Sequence, residues 1–240
     1  FDGFRTSHEI QKIEVIDDAS LTAMLDRDVL KAFRAAALNP NHPVTRGTAQ
    51  NPDIYFQTRE ASNKFYDAVP DMVAECMEKI SAITGRHYAP FTYYGAPDAE
   101  DVIVAMGSVS GVARDAVDFL SAQGRKVGFV QVHLFRPFSC RHLLDAIPAS
   151  VRRIAVLDRC REMGSAGEPL YQDVCTVLQE AGRDVQVIGG RYGLGGNDLT
   201  PGQGKAVREN LTGRAQQSFT VGIEDADDII ADLEQALQTL

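Results

Sequence analysis

The sequence predicts an α/β protein with an open, doubly wound parallel sheet, preceded by a mostly helical segment. Residues 101–135 read as an apolar, β-branched strand, a helical stripe and a second apolar strand. Such a crossover joins parallel neighbours, and a short continuous apolar run is typical of a strand buried on both faces. Three further apolar runs, at 153–158, 184–188 and 218–223, alternate with helical patterns. Five strands alternating with helices favour a doubly wound sheet.

The segment before residue 98 has helical periodicity. Helices are predicted over 20–25, 28–38 and 60–84, and residues 6–9 resemble a helix start ahead of Ile10 and Ile13. Pro70 lies inside the longest pattern, so it should kink that helix or separate two helices. Residues 86–97 contain two prolines and three tyrosines without a period. They are predicted to be an ordered linker, which places the domain boundary between 1–97 and 98–240.

The second segment alternates strands with helices predicted over 108–123, 141–147, 170–181, 201–211 and 227–240. Glycine-containing loops follow the strands, at 107–111, through Gly164 and Gly167, and over 189–196. In open α/β sheets the carboxyl ends of the strands are where ligands bind. These loops are therefore the stretches in which a site is sought.

Composition excludes several classes of function. The net charge of −9 and the pI near 5.0 argue against a nucleic-acid or anionic-membrane surface. The four cysteines form no Cys-x-x-Cys pair, so neither a zinc knuckle nor an iron–sulfur cluster is assembled locally. A reducing, cytoplasmic compartment is expected. Because the chain begins at Phe1 rather than Met, it is interpreted as part of a longer protein.

The turn Gly107-Ser108-Val109-Ser110-Gly111 joins a predicted strand to a helix, so its amides could cradle an anion. It has neither the Gly-x-Gly-x-x-Gly nor the Walker spacing. A tight turn that needs small residues is the favoured interpretation, with Gly107, Ser108, Ser110 and Gly111 kept as weak anion-site candidates. Replacement of Gly107 by Val is predicted to misfold this domain because the turn has no room for a β-branched side chain.

Contact with a neighbouring domain is the favoured use of the polar residues in these loops, and a capping and interface role is favoured for the polar trio Arg5, His8 and Glu9. Neither a catalytic residue nor a metal ligand is identified among them, and no His-x-x-x-His pair is present. The interface candidates are Arg5, His8, Glu9, Arg159, Glu168, Arg191 and Tyr192. From the residues alone, the chain is an acidic, two-part α/β segment without a complete active site.

Several strings nevertheless resemble one family. FDGFRTSHEIQKI (1–13) and RGTAQNPDIYF (46–56) are similar to the late part of the N-terminal domain of pyruvate:ferredoxin (flavodoxin) oxidoreductases. Six further strings are similar to the second domain of this family, which is itself similar to the C-terminal domain of transketolase. They are YYGAPDAE (93–100), AMGS (105–108), LFRPFS (134–139), AVLDR (155–159), GEPLY (167–171) and GRYGL (190–194).

The resemblance implies a large homodimeric enzyme that oxidatively decarboxylates pyruvate to acetyl-CoA. Thiamine diphosphate with magnesium would form the carbanion adduct, and iron–sulfur clusters would carry electrons to ferredoxin or flavodoxin. The family's catalytic and cofactor-binding residues match no position of this sequence, so the segment is expected to be a scaffold that holds no cofactor itself. Three alternatives stay open: a separate subunit of a split enzyme, a non-enzymatic α/β interaction or anion-binding module, and a version fused to an NADP reductase.

Overall fold

The computed structural model of the protein describes residues 10, 12–44, 47, 49–196, 207, 208 and 219–221. Two units are distinguished, one over Ile10–Pro90 and one that contains every residue from Phe91 onward. The first is helical and the second is built on a β-sheet. Among the described residues, no helix is both long enough and apolar enough to cross a bilayer.

The helical unit contains α1 (Asp18–Met24), α2 (Arg27–Ala35), α3 (Pro52–Ala61) and α4 (Asn63–Thr84). Carboxylates cap the first two helices. Asp17 accepts from the Ser20 amide at 2.8 Å, and Asp26 accepts from the amides of Asp28 and Val29 at 2.9 and 3.0 Å. Each cap satisfies backbone donors that the first helical turn leaves without a partner.

The predicted helices are present with two corrections. Pro70 does not separate two helices, because α4 continues through this buried residue and the 60–84 pattern is divided at Ser62 instead. A kink at Pro70 stays a prediction. No helix begins at Ile10 or Ile13, since residues 12–17 have no regular structure and α1 starts after the Asp17 cap. Gly85 ends α4 as predicted, with φ of 70° in the left-handed region that glycine adopts without strain.

The sheet has six described strands in the order β1-β3-β2-β4-β5-β6. Every neighbouring pair is parallel except β1 with β3, which is antiparallel. The strands are β1 (Phe91–Gly95), β2 (Asp101–Met106), β3 (Val127–Val132), β4 (Arg153–Asp158), β5 (Gln186–Tyr192) and β6 (Phe219–Val221). All five predicted parallel strands are confirmed.

Strand β1 corrects the prediction that residues 86–97 are a linker. Its Tyr93 ring lies over Gly128 of β3, where a Cβ would come within 2.2 Å of the tyrosine hydroxyl oxygen. The same hydroxyl donates to the Ala96 carbonyl, and burial raises the pKa of Tyr93 to about 12. The edge strand is therefore held by its antiparallel pairing with β3 and by one aromatic ring packed on a residue that has no side chain.

Helices cover both faces of the sheet, which confirms the doubly wound architecture. On one face α5 (Val109–Ala122) packs with Phe129 and Leu157. On the other face α6 (Cys140–Ala146) and α7 (Pro169–Glu180) pack with Val104 and Ile154. The division into 1–97 and 98–240 stays a prediction. The helices predicted over 201–211 and 227–240 lie outside the described residues, except that Val207 and Arg208 are helical.

Candidate functional site

A cleft opens at the carboxyl edge of the sheet, between β2 and β4. The chain leaves β2 toward β3 and leaves β4 toward β5, on opposite sides of this point, so the loops that follow the two strands diverge. The cavity between them has a volume of about 240 Å³. It is lined by Met106, Gly107, Ser108, Phe135, Asp158, Arg159, Cys160, Pro169 and Tyr192.

The turn from β2 to α5 forms one wall of the cleft. Gly107 has φ of +85°, and an added Cβ would meet nothing within 4 Å. The expectation that this turn lacks room for a larger side chain is therefore wrong, and it is the left-handed backbone that favours glycine here. The Ser110 hydroxyl and amide both donate to the Gly107 carbonyl, at 2.6 and 3.2 Å. Gly107 and Ser108 line the cleft, whereas Ser110 is bonded inside the turn and Gly111 is exposed on α5.

The opposite wall is organised by Asp158, the last residue of β4, which is only 4% exposed. Its two carboxylate oxygens accept from the amides of Leu170 and Tyr171 at 3.0 and 3.1 Å. These amides belong to the first turn of α7, where a negative charge is stabilised by the helix dipole. Burial raises the pKa of Asp158, and the two amide hydrogen bonds oppose that shift. Asp158 thus fixes α7 to the strand, a role that its sequence context did not indicate.

Glu168 holds the loop between β4 and α7 in place. Its carboxylate, 3% exposed, accepts from the Glu162 amide at 2.6 Å, from Arg161 at 3.1 Å and from Nε of Arg191 at 2.5 Å. Burial alone would raise the pKa of Glu168, but the hydrogen bonds from Arg191, Glu162 and Arg161 outweigh it and lower the pKa. Two predicted interface residues, Glu168 and Arg191, are therefore ion-paired to each other within the sheet unit.

Two further interface candidates connect the loops around the cleft. Arg159 donates from Nε to the Gly193 carbonyl at 3.0 Å, which joins the β4 loop to the segment after β5. Tyr192 is buried, and its hydroxyl donates to the Met106 carbonyl at 2.9 Å, which joins β5 to β2. Arg5, His8 and Glu9 lie outside the described residues. The interface role of all these residues stays a prediction.

The glycines near the cleft accommodate Tyr171. A Cβ on Gly167 would lie 2.4 Å from Cδ1 of that ring, and a Cβ on Gly189 would lie 3.1 Å from Cδ2. Residues 189–192 belong to β5, so the predicted loop over 189–196 is wrong for its first half. In this stretch it is Gly189 that gives the Tyr171 ring its place on the strand, whereas Gly193 and Gly195 have left-handed backbone, with φ of 62° and 68°.

The thiols offer no activated nucleophile at the cleft. Cys160 lines it, but burial and then the neighbouring Asp158 carboxylate raise the pKa of this thiol, which keeps it in the unreactive protonated form. Within the part of the chain that the structure describes, no group of three or more His, Cys, Asp or Glu side chains is placed to hold a metal ion. The described residues around the cleft are instead hydrogen-bonded to one another across its loops.

Family models match the chain in two consecutive parts. Residues 1–78 match "Pyruvate flavodoxin/ferredoxin oxidoreductase, thiamine diP-bdg". Residues 99–203 match "Pyruvate:ferredoxin oxidoreductase core domain II". The second match spans β2 to β5 and all the residues that line the cleft.

Relatives with these names align along nearly the whole chain. The pyruvate:ferredoxin oxidoreductase of Moorella thermoacetica is 57% identical over 226 residues, which are 94% of this chain and 19% of the relative. A pyruvate-flavodoxin oxidoreductase of Klebsiella pneumoniae is 54% identical over 241 residues, 100% of this chain and 20% of the relative. The chain thus spans about a fifth of the length of the curated relatives it matches.

Solved structures give a weaker likeness. A 2-oxoglutarate:ferredoxin oxidoreductase from Magnetococcus marinus has a TM-score of 0.46 and 19% identity, covering 71% of this chain and 26% of that one. A split-gene transketolase has a TM-score of 0.41 and 18% identity, covering 52% of this chain and 42% of that one. The sequence matches, rather than these structures, carry the relationship.

Proposed function

Because the chain belongs to the pyruvate:ferredoxin/flavodoxin oxidoreductase family, we propose that it is a segment of an enzyme that oxidatively decarboxylates pyruvate to acetyl-CoA. The electrons pass to ferredoxin or flavodoxin. The observation that carries the proposal is the 57% identity maintained over 94% of the chain to a pyruvate:ferredoxin oxidoreductase. Two family models that match successive parts of the same chain support it independently.

Within that enzyme, the sheet unit acts as a scaffold. The buried carboxylates of Asp158 and Glu168 are engaged by amides and arginines of the same unit. Arg159 and Tyr192 in turn bridge loops that leave different strands. Such contacts hold the loops at the carboxyl edge in one arrangement, and these loops are the surface offered to neighbouring domains of the same polypeptide. Among the described interface candidates, Arg159, Glu168, Arg191 and Tyr192 act by fixing this surface.

The whole enzyme binds thiamine diphosphate with magnesium, iron–sulfur clusters and CoA. Bound thiamine diphosphate supplies a sink for the carbanion left by decarboxylation. Iron–sulfur clusters need sets of cysteine thiolates. Among the described residues the cysteines do not form such a set, and no metal-holding group is present. The described residues thus do not fit a cluster or the diphosphate-bound metal, and no step of the reaction is assigned to them.

The whole enzyme is a cytoplasmic homodimer whose soluble partner is ferredoxin or flavodoxin. Names of the relatives support both carriers, since the Moorella thermoacetica protein is named for ferredoxin and the Klebsiella pneumoniae protein for flavodoxin. The net charge of −9 on this segment gives no support to a nucleic-acid partner.

An assay of the full-length enzyme tests this function. Anaerobic reduction of methyl viologen is followed with pyruvate and CoA, with 2-oxoglutarate in place of pyruvate as the matched control. The expected result is CoA-dependent reduction with pyruvate and acetyl-CoA as the product. Ferredoxin, flavodoxin and NADP are then compared as acceptors. Reduction that occurs with 2-oxoglutarate and not with pyruvate would contradict the proposal.

A further inference from the structure

One wall of the cleft is a phenylalanine ring in a loop without regular structure. Phe135 lines the cavity, and it lies within residues 133–139, which join β3 to α6. Elsewhere around the cleft the bonds come from buried groups, Asp158 on β4 and Tyr192 on β5. Phe135 is only partly buried, so contacts at the protein surface contribute to its position.

Arg136 holds this ring from the outside. Its guanidinium carbon lies 3.9 Å from the centroid of the Phe135 ring, well within the range of a cation–π contact. The same guanidinium donates to the Asp173 carboxylate on α7 at 2.5 Å. Pro169, the first residue of α7, also lines the cleft. The ion pair therefore joins the loop that carries Phe135 to a helix that borders the same cavity.

A second aromatic ring anchors the other end of the loop. Phe138 meets the ring of Phe91 edge-on, with the centroids 5.5 Å apart, and Phe91 is only 5% exposed. The rings of Phe135 and Phe138 are also edge-on, with the centroids 6.5 Å apart. Both pairs have the geometry that aromatic rings prefer. Phe138 is thus attached to the core, whereas Phe135 is the end of the loop that can turn.

The contacts of Arg136 are strong enough to favour one position of the ring but too weak to lock it. The side chains of Arg136 and Asp173 are 53% and 27% exposed. An exposed ion pair favours the state that contains it by about fivefold at most. A cation–π contact at an exposed site adds about two- to fivefold. Because dissolved salt screens exposed charges, the first of these two contributions depends on ionic strength.

We propose that Phe135 is a gate on the cleft between β2 and β4, and that the Arg136–Asp173 ion pair is the latch that keeps this gate closed. In the closed state the ring is one wall of the cavity of about 240 Å³. When the latch breaks, the ring turns outward while Phe138 keeps the loop attached, and the cleft admits larger molecules. The device belongs to this segment and does not depend on the reaction of the whole enzyme.

The thiol of Cys160 reports the width of the cleft, because it lines the same cavity and is partly exposed. The full-length enzyme is alkylated under anaerobic conditions with N-methylmaleimide and, separately, with the much bulkier fluorescein maleimide. Mass spectrometry of the peptide that contains Cys160 gives both rate constants. The measured quantity is the ratio of the bulky to the small reagent. A change in the thiol pKa cancels in this ratio, because both reagents attack the same thiolate.

Two variants remove the latch in steps. Asp173→Asn removes the ion pair and leaves the cation over the ring, whereas Arg136→Gln removes both contacts. Arg125→Gln is the matched control, since this exposed arginine precedes β3 at the opposite edge of the sheet. Each protein is measured at low and at high concentrations of NaCl.

The ratio is expected to rise by about two- to fivefold in Asp173→Asn and by about five- to 25-fold in Arg136→Gln, and to stay unchanged in the control. Added NaCl should raise the ratio of the wild type and leave that of both variants unchanged. Ratios that equal the wild type in both variants, or that rise equally in the control, would overturn the proposal. So would a wild-type ratio that does not respond to salt, or a Cys160 that reacts with neither reagent in any variant.

Discussion

Replacing Glu168 by Gln removes the negative charge that holds three groups at the edge of the cleft. The carboxylate is 3% exposed, and it accepts from Arg161, Arg191 and the Glu162 amide. Removing one partner of a buried ion pair costs about 3–5 kcal/mol, because the remaining charge is buried without compensation. Here the side chains of Arg161 and Arg191 are 37% and 24% exposed, so both stay partly solvated. The expected loss of unfolding free energy is therefore smaller, about 2–3 kcal/mol.

The assay is thermal unfolding of the 240-residue chain, followed by circular dichroism. For a protein of this size, each kcal/mol of unfolding free energy lowers Tm by about 2–4 °C, so the expected fall in Tm is about 4–12 °C. Glu162→Gln is the matched control. It makes the same chemical change at an exposed side chain of the same loop and keeps the backbone amide that Glu168 uses. The control should melt like the wild type.

The pH dependence adds a second check. The pKa of Glu168 in the folded protein is held below its ordinary value of 4.5. The stabilisation is therefore fully present above that ordinary value and is lost as the pH falls through the lowered pKa. The difference between the wild type and Glu168→Gln should shrink in acid. Equal melting of the Glu168 and Glu162 variants at neutral pH, or a difference that persists undiminished in strong acid, would refute the reasoning.

Three further substitutions test individual contacts by thermal or urea unfolding. Gly107→Ala should lower the free energy of unfolding by about 1–2 kcal/mol, because the backbone at this position is left-handed. An unchanged unfolding midpoint would contradict that cause. Gly128→Ala should cost about 1–3 kcal/mol by clashing with the Tyr93 ring, whereas Gly111→Ala, which meets open space in α5, should stabilise by about 0.5–1 kcal/mol. Burial raises the pKa of Asp158 above its ordinary value of 3.8. The contribution of this group to the free energy of unfolding is therefore fully present below pH 3.8 and is lost as the pH rises through the raised pKa. Relative to Asp158→Asn, the wild type should lose stability over that window, and an increase would contradict the shift.

The sheet was predictable because its strands are buried on both faces and read as short apolar runs. Strand β1 was missed because it is an antiparallel edge strand flanked by prolines, and its stability depends on the Tyr93 ring over Gly128. Its aromatic, β-prone sequence Phe91-Thr92-Tyr93-Tyr94 is the signal that was available. The predicted strand β5 ends too early for a similar reason, because Gly189 continues the observed strand beneath the ring of Tyr171.

The position of the cleft was predictable, but its contacts were not. Glycine-rich turns after buried strands indicate the carboxyl edge of the sheet, and the cavity lies there. No spacing in the sequence indicates that Glu168 pairs with Arg161 and Arg191, or that Asp158 bonds the first turn of α7. These contacts join residues 7 to 23 positions apart, and they form only when the strands are in register.

Titration of thiamine diphosphate with magnesium into the isolated 240-residue chain tests most directly whether this segment supports chemistry that is completed elsewhere in the enzyme. Calorimetry is performed on the segment and on the full-length enzyme under the same conditions. The account predicts saturable binding to the full-length enzyme and no binding heat for the segment. Tight, stoichiometric binding to the segment alone would contradict it.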